Sequence, residues 1–410
     1  MRDCFLSFSP PLIGEEEINE VVDTLRSGWI TTGPKVKRFE EEFAAFISAP
    51  TALALNSCTA ALHIALATLG IGPDDVVITT PMSFCSSVHV IEHVGATPVL
   101  VDIEQDTLNI DPMHIARVLE QTGSRQWKPH CKNPRPKAII LVHLYGHPCD
   151  MDPILKLASE YELAIIEDAA HALPARYKGR MIGTIGTFTA FSFYATKNLT
   201  TAEGGMLTGA PELLEEARIW SLHGMSRDAY KRYSTHGSWY YEVMLPGFKY
   251  NMTDIQAAIG LHQLYKLPQF QARRHEIVRR YNEAFSQFEE LQIPTEQPEV
   301  EHAWHLYVLR LNLELLNISR NQFIEELKAR KIGTSVHFIP VHLHPYYRNK
   351  YGYKDEDFPV AYREYQRIIS LPLYPRMTGQ DVNDVIDAVC DVVEKFRRLK
   401  LKMDDKRQAL

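Results

Sequence analysis

The chain has 410 residues, of which 45% are hydrophobic and 23% charged, and its formal net charge is −7 at pH 7 with a pI near 6.2. This composition is typical of a soluble globular protein, and the acidic balance argues against a nucleic-acid-binding surface. No apolar run is long enough to cross a bilayer and the N-terminal residues lack a signal-peptide pattern, so we expect a cytoplasmic protein without membrane segments.

The length exceeds what one ordinary hydrophobic core organises. We therefore predict two domains. The larger covers residues 1–265 and includes the N-terminal helices, and the smaller covers residues 266–410 and begins with a linker helix.

The six cysteines are scattered without any CxxC pair, which favours reduced thiols and argues against a metal site. The segment 123–137 has five basic residues, no acid and three prolines, so we interpret it as a surface excursion of unassigned role. His130 and Cys131 within it are metal-ligand types, but no second pair of ligands lies nearby. The sequence therefore predicts no metal.

Apolar residues at helical spacing predict a helix over 15–27 and a second helix over 35–47. The loop between them, GWITTGP, contains Thr31 and Thr32. Glycine and proline alone would explain a plain turn here, whereas the adjacent hydroxyls favour a loop that contacts a ligand. Both interpretations are open at this point.

From residue 51 onward, short apolar runs alternate with helical stretches. The runs are 52–55, 76–79, 99–101, 138–144 and 163–167. This alternation predicts an α/β fold with a mostly parallel sheet and helices on both faces. Because ligands of such sheets bind at the carboxyl ends of the strands, we expect functional residues directly after these runs.

The stretch 186–205 contains one lysine, Lys197, which follows an aromatic run at 188–194. We predict that this run is a buried strand and that Lys197 lies at its end, facing a pocket. Desolvation there disfavours the ammonium form and leaves the amine able to form a Schiff base with an aldehyde. The alternative is an ordinary solvated lysine.

The rest of the chain is predicted to be helical at 211–221, 253–265 and 270–289, the last of these linking the two domains. A smaller α/β region follows, with strands at 305–311 and 334–338, a helix at 319–331, and a final helix that begins at Thr378.

Other strand-end residues supply what pyridoxal 5′-phosphate (PLP) requires besides an amine. Asp168 would hold a protonated ring nitrogen, unless it only caps a helix. Residues 57–60 lead from a strand into a helix, where backbone N–H groups either bind a phosphate or form an ordinary cap. Phe84 would cover the ring, although an aromatic residue in such a run is more often part of the core.

The order and spacing of these features resemble the DegT/StrS family of sugar-nucleotide aminotransferases, which are fold-type I PLP enzymes. EDAAH followed by SFYATKN is the most specific part of the resemblance. The similar motifs span nearly the whole chain: GWITTGP, NSCTAAL, IEDAAHA, FSFYATKN, AEGG, GFKYNMTDIQAA, HAWHLYVLR, GTSVHFIP and SLPLYP.

The resemblance implies roles for individual residues. Lys197 would be the Schiff-base lysine, Asp168 the partner of the ring nitrogen, and His171 the neighbour of the phenolic oxygen. Phe84 would stack on the ring. The phosphate ligands from the same subunit would be Thr59, Ala60 and Ser192. The substrate contacts would be Thr31, Thr32 and His337.

One motif departs from the family. The family often has Asn-x-Arg where this chain has Lys249-Tyr250-Asn251. The family asparagine reaches across a dimer interface to the partner's cofactor phosphate. Lys249 occupies its position and Asn251 the arginine position, so either residue could make the contact. The resemblance therefore implies a homodimer with shared sites.

The implied reaction moves an amino group from an amino acid, usually glutamate, through PLP to a keto-sugar nucleotide. The motifs are most similar to the branch that aminates C4 of UDP-linked 4-keto sugars, such as the UDP-4-amino-4-deoxy-L-arabinose type. Amination at C3, or a dTDP or GDP carrier, would use the same cofactor residues. Sugar dehydratases of the family carry His in place of Lys197, and non-catalytic PLP-binding sensors usually carry a further domain.

Overall fold

The computed structural model describes residues 2–122, 134–226 and 239–398. Within these ranges the N-terminal part contains nine strands. They are β1 (Ala52–Leu55), β2 (Asp75–Thr79), β3 (Thr97–Leu100), β4 (Arg135–Val142), β5 (Ala164–Asp168), β6 (Arg176–Tyr177), β7 (Arg180–Met181), β8 (Phe188–Ser192) and β9 (Gly205–Gly209).

The described strands form a central seven-stranded sheet in the order β1-β9-β8-β5-β4-β2-β3. The pairs from β8 to β3 are parallel, whereas β9 runs antiparallel to both β1 and β8. This arrangement confirms the predicted mostly parallel α/β sheet. The short strands β6 and β7 pair with β11 (Val300–Glu301) in a separate small sheet.

Helices cover both faces of the central sheet. In β4, Ile139 and Leu141 belong to one hydrophobic core and Ala138 and Ile140 to another, because alternate residues of a strand point to opposite faces. The N-terminal helices are α1 (Glu15–Ser27), α2 (Pro34–Ile47), α3 (Cys58–Thr68), α4 (Ser86–His93), α5 (Pro112–Glu120), α6 (Met151–Glu160) and α7 (Pro211–Ser221).

The first helix buries its polar side. Glu17 and Thr24 are buried, whereas Ile18 and Leu25 are 47% and 55% exposed. Glu17 accepts hydrogen bonds from the side chains of Gln263 and Lys266, which satisfy its buried carboxylate. The apolar face of α1 is therefore left uncovered by the described chain.

A single helix, α8 (Asp254–Phe285), replaces the two helices predicted at 253–265 and 270–289. Pro268 lies inside it and removes one backbone donor without ending it. The prediction was wrong here because helical packing on both sides of Pro268 overrides the local break. The predicted domain division at 265/266 falls within this helix, and the division itself stays a prediction.

The C-terminal part forms an antiparallel sheet of β10 (Leu291–Gln292), β12 (Tyr307–Leu311) and β13 (Ile368–Leu371) in the described chain. Its helices are α9 (Arg320–Ala329), α10 (Pro345–Tyr351), α11 (Pro359–Tyr365) and α12 (Gly379–Phe396). The strand predicted at 334–338 is absent. Ser335 makes only an isolated bridge to Ser370, so the segment is left free to line a cavity.

The described residues contain no group of three metal-ligand side chains, and no helix among them is long and apolar enough to span a bilayer. His130 and Cys131 lie outside the described ranges. The cysteines within those ranges are free thiols.

Gly205 permits a close approach at the start of β9. A Cβ at this position would lie 2.6 Å from the backbone nitrogen of Cys58, at the first turn of α3. The contact is with backbone rather than with a flexible side chain. β9 therefore reaches the N-terminus of α3 only because residue 205 is glycine.

We predict that Gly205→Ala lowers the free energy of unfolding by about 1–3 kcal/mol, because strand or helix must shift to admit the methyl group. Urea denaturation measures this change. Gly72→Ala is the matched control, since a Cβ there meets nothing closer than 3.8 Å. Equal stability of the two variants would contradict the close approach.

Candidate active site

A cavity of about 500 Å³ opens at the carboxyl ends of β5 and β8, next to the N-terminus of α3. Seven residues predicted from the sequence line it: Thr59, Phe84, Asp168, His171, Ser192, Lys197 and His337. The cavity is thus where the parallel sheet places ligands.

Lys197 lies five residues beyond the end of its strand. β8 ends at Ser192 rather than at 194, and the backbone N–H of Lys197 donates to the carbonyl of Tyr194 in a turn at 2.9 Å. Desolvation lowers the pKa of the Lys197 amine to about 8, although the negative charge of Asp168 opposes this. The amine is therefore substantially neutral at mildly alkaline pH, as a nucleophile must be.

Asp168 is the last residue of β5 and is 4% exposed. Its Oδ2 accepts from the Ser87 hydroxyl at 2.6 Å, and its Oδ1 accepts from the Ala170 N–H at 3.1 Å and the Cys58 thiol at 3.9 Å. Burial raises the pKa of the carboxyl group, and the Ser87 and Ala170 hydrogen bonds oppose that rise. No helix begins after Asp168 in this described stretch, so it is not a helix cap.

His171 has a defined tautomer. Its Nδ1 accepts a hydrogen bond from the backbone N–H of Tyr145 at 3.2 Å, so the neutral ring carries its proton on Nε2. Burial holds the pKa of His171 well below its ordinary value. The ring stacks on Phe338 and lies 4.5 Å from the ring of His305. His171 is therefore a neutral hydrogen-bond donor to whatever occupies the cavity.

The first turn of α3 presents backbone donors. Ser57 is the N-cap, and its hydroxyl accepts a hydrogen bond from the Ala60 N–H at 3.1 Å. Ala60 was predicted to bind the phosphate, but it does not line the cavity. The N–H groups of Cys58 and Thr59 have no acceptor among the described residues. Unpaired N–H groups at a helix N-terminus form an anion site.

Besides Ala60, four predicted residues do not line the cavity: Thr31, Thr32, Lys249 and Asn251. Lys249 donates to Asn251 Oδ1, and Asn251 donates to Thr32 Oγ1, each at 2.6 Å. The backbone carbonyl of Thr31 accepts from the Asp254 N–H at 3.0 Å. Thr32, Lys249 and Asn251 therefore form one polar cluster, which we call the Thr32 cluster, and it does not line the cavity of its own chain.

Phe8 and His305 are among the cavity residues that the sequence did not single out. Phe8 stacks on His337 with ring centroids 5.5 Å apart. The two residues are far apart in the sequence, so no local sequence pattern predicts this contact. His305 lines the cavity and its Nδ1 lies 3.2 Å from Asn198 Oδ1. The HAWHLYVLR motif places His305 just before β12, and this position was the available signal.

Comparison with known proteins decides the family. The sequence matches the profile of the DegT/DnrJ/EryC1/StrS aminotransferase family over residues 11–390. The chain belongs to this family. It is also 54% identical to the spore coat polysaccharide biosynthesis protein SpsC of Bacillus subtilis over 395 residues, which cover 96% of this chain and 98% of SpsC.

Solved structures agree with the family assignment. Spr1654 of Streptococcus pneumoniae, described as a sugar aminotransferase in its PMP form, is 39% identical with a TM-score of 0.85, over 95% of this chain and 99% of that one. DesV of S. venezuelae, in complex with a ketimine intermediate, is 32% identical with a TM-score of 0.82, over 96% and 100% of the two chains. A PLP form of Spr1654 matches similarly, at 38% identity and a TM-score of 0.84.

The protein is therefore a PLP-dependent aminotransferase, and its cavity fits PLP. The fit rests on the partly desolvated amine of Lys197, on a buried carboxylate with acceptor capacity left over, and on the unpaired N–H groups of Cys58 and Thr59. These groups match the aldehyde, the ring nitrogen and the phosphate respectively.

We predict that, in the cofactor-free protein, the rate at which trace acetic anhydride acetylates Lys197 rises with pH around a midpoint near 8. Peptide mass spectrometry measures the reactivity at each pH. Asp168→Asn removes a charge that raises the pKa of the amine, so its titration should move to lower pH. A midpoint near 10.5, the ordinary lysine value, would contradict a desolvated amine.

Proposed function

We propose that the protein transfers an amino group from glutamate to a keto-sugar nucleotide, with C4 of a UDP-linked 4-keto sugar as the acceptor. The observation that carries the transfer chemistry is the placement of Lys197 and Asp168 in one cavity beside the N-terminus of α3. The sugar acceptor is supported by the relatives, SpsC being named for polysaccharide biosynthesis and Spr1654 as a sugar aminotransferase.

PLP, when bound, supplies an electron sink that makes a proton on the amino carbon of the substrate acidic. Nζ of Lys197 would hold the cofactor at rest and would then move that proton as a general acid and base. Its lowered pKa, about 8, brings it near the operating pH of such a group. Asp168 would accept a hydrogen bond from the ring nitrogen, and its burial would strengthen this bond.

The remaining cavity residues bind and orient. His171 would donate its Nε2–H to the phenolic oxygen, and Phe84 would cover one face of the ring. The phosphate is bound by Thr59 and Ser192 together with the unpaired N–H groups of α3, while Ala60 contributes through the cap that it completes with Ser57. His337, with a pKa lowered to about 4 by burial, contacts the substrate as a neutral imidazole.

We also propose a homodimer in which the Thr32 cluster contacts the partner's site. The support is a set of exposed apolar side chains, of which Phe84 and Tyr194 line the cavity; the others are Ile18, Leu25, Val243 and Met244. Such a surface is typical of an interface. A cytoplasmic location is proposed as well, since the described cysteines are free thiols.

The proposed activity is tested with ¹⁵N-labelled glutamate and a panel of keto-sugar nucleotides on UDP, dTDP and GDP carriers. We expect the label to move to a UDP-linked 4-keto sugar, with mass spectrometry detecting the product and NMR assigning the amine to C4. Lys197→Ala is the control and should transfer no label, because no other group replaces its amine. Transfer to no member of the panel would contradict a sugar acceptor.

The shared site predicts complementation between inactive variants. Lys249→Met removes a cation that faces the partner's phosphate, and Lys197→Ala removes the amine. A mixed dimer contains one intact site, so mixing the two inactive proteins should restore part of the activity. Asn251→Ala deletes a neutral donor and should weaken PLP binding less, and with less salt dependence, than Lys249→Met.

Mixed dimers that form but stay inactive would show that each subunit builds its site alone. Size-exclusion chromatography with two differently tagged chains verifies that they form.

A further inference from the structure

A pair of buried serines is hydrogen-bonded to Asp168. Ser87 contacts the carboxylate directly, and Ser83 contacts Ser87 and also lines the cavity. Ser87, in the first turn of α4, is fully buried, and Ser83 is 2% exposed. Their hydroxyl oxygens are 2.7 Å apart, and Ser87 Oγ lies 2.6 Å from Asp168 Oδ2. The series Ser83, Ser87, Asp168 is therefore a continuous hydrogen-bonded chain that ends on the carboxylate.

The direction of the hydrogen bonds follows from the charge of Asp168. An ionised carboxylate only accepts, so Ser87 donates its single proton to Oδ2. Ser83 must then donate to Ser87. The other acceptor near the Ser87 hydroxyl, the Phe84 carbonyl, is farther away at 3.3 Å. Ser83 thus directs the Ser87 proton toward Asp168.

The carboxylate retains room for one more donor. It has about four acceptor sites, and Ser87, Ala170 and Cys58 occupy three of them among the described residues. The ring nitrogen of PLP needs one. Asp168 itself lines the cavity, so its remaining acceptor site is available to a ligand that binds there.

We propose that Ser87, oriented by Ser83, is a positioning residue that keeps Asp168 ionised and aimed at the ring nitrogen. This inference rests on the proposed role of Asp168. Loss of the hydroxyl leaves a buried carboxylate with one donor fewer, which makes Asp168 more basic. Asp168 would then draw the ring proton toward itself, which would leave a bound cofactor a weaker electron sink.

The test compares Ser87→Ala with wild type and with Asp168→Asn. We expect Ser87→Ala to lower kcat about tenfold with little change in KM for glutamate, because the hydrogen bond acts on the ring rather than on the substrate. Ser87→Thr keeps a hydroxyl and should recover most of the loss. Ser83→Ala should act in the same direction but less strongly, and it serves where Ser87→Ala fails to fold.

A spectroscopic readout separates this role from packing. A positively charged ring nitrogen repels the proton on the linkage between Lys197 and the cofactor, so weakening that charge should raise the pH at which the linkage loses its proton. Absorbance titration should show an upward shift in Ser87→Ala that is smaller than the shift in Asp168→Asn. The matched control, Ser221→Ala, deletes another buried hydroxyl that donates to the Arg218 carbonyl at 2.7 Å, and should titrate as wild type.

Cofactor-free protein offers a second readout. The pKa of Asp168 is already raised by burial, so its ionised form opposes folding above that pKa. Ser87→Ala raises the pKa further. The Tm deficit of the variant should be largest near neutral pH and should shrink as falling pH protonates Asp168.

A Ser87→Ala enzyme with wild-type titration and wild-type kcat would overturn the inference while Asp168→Asn still shifts both. If Asp168→Asn also leaves both unchanged, the proposed role of Asp168 itself fails.

Discussion

The site depends on a carboxylate that the fold takes out of water. Asp168 is 4% exposed, and burial of an unpaired charge is costly, so the surrounding elements must supply donors. They come from separate parts of the chain: Ser87 on α4, Cys58 on α3 and the backbone at Ala170. The same charge partly offsets the desolvation of Lys197. Within the cavity, the ammonium form of Lys197 and the carboxylate form of Asp168 therefore stabilise each other, although burial disfavours both charged forms.

The neighbouring acid shows how one strand places two carboxylates on opposite faces of the sheet. Glu167 precedes Asp168 on β5 and points to the opposite face, where it is fully buried. It lies 2.8 Å from His143 Nε2, and it accepts hydrogen bonds from Gly186 and Thr189. Because Cys149 N–H donates to Nδ1 of His143, that ring is neutral and donates from Nε2. Glu167 thus anchors the sheet and has no free acceptor directed at the cavity.

The surface around the cavity is built differently from its interior. The interior combines hydrogen-bonded polar groups such as Asp168 and His171 with apolar side chains, whereas the mouth carries Phe84 at 59% and Tyr194 at 48% exposure. The exposed apolar face of α1 and the Thr32 cluster lie on the chain without a covering element in the described residues. If a second copy covered this surface, as proposed above, the Thr32 cluster of one copy would lie beside the cavity of the other.

Much of this protein was readable from its sequence because it depends on local pattern. The strand–helix alternation predicted the parallel sheet, and strand-end position together with the EDAAH and SFYATKN motifs predicted that Lys197 and Asp168 face a common pocket, which both residues line. Tertiary structure alone decided the rest. Long-range pairing made β9 antiparallel to β8, and packing kept α8 continuous through Pro268. The segment 334–338 forms an isolated bridge instead of a strand and contributes to the cavity wall. Contacts such as Phe8 with His337, or Ser87 with Asp168, join residues far apart in the chain. Local periodicity carries no information about such pairs, because only the folded chain brings them together.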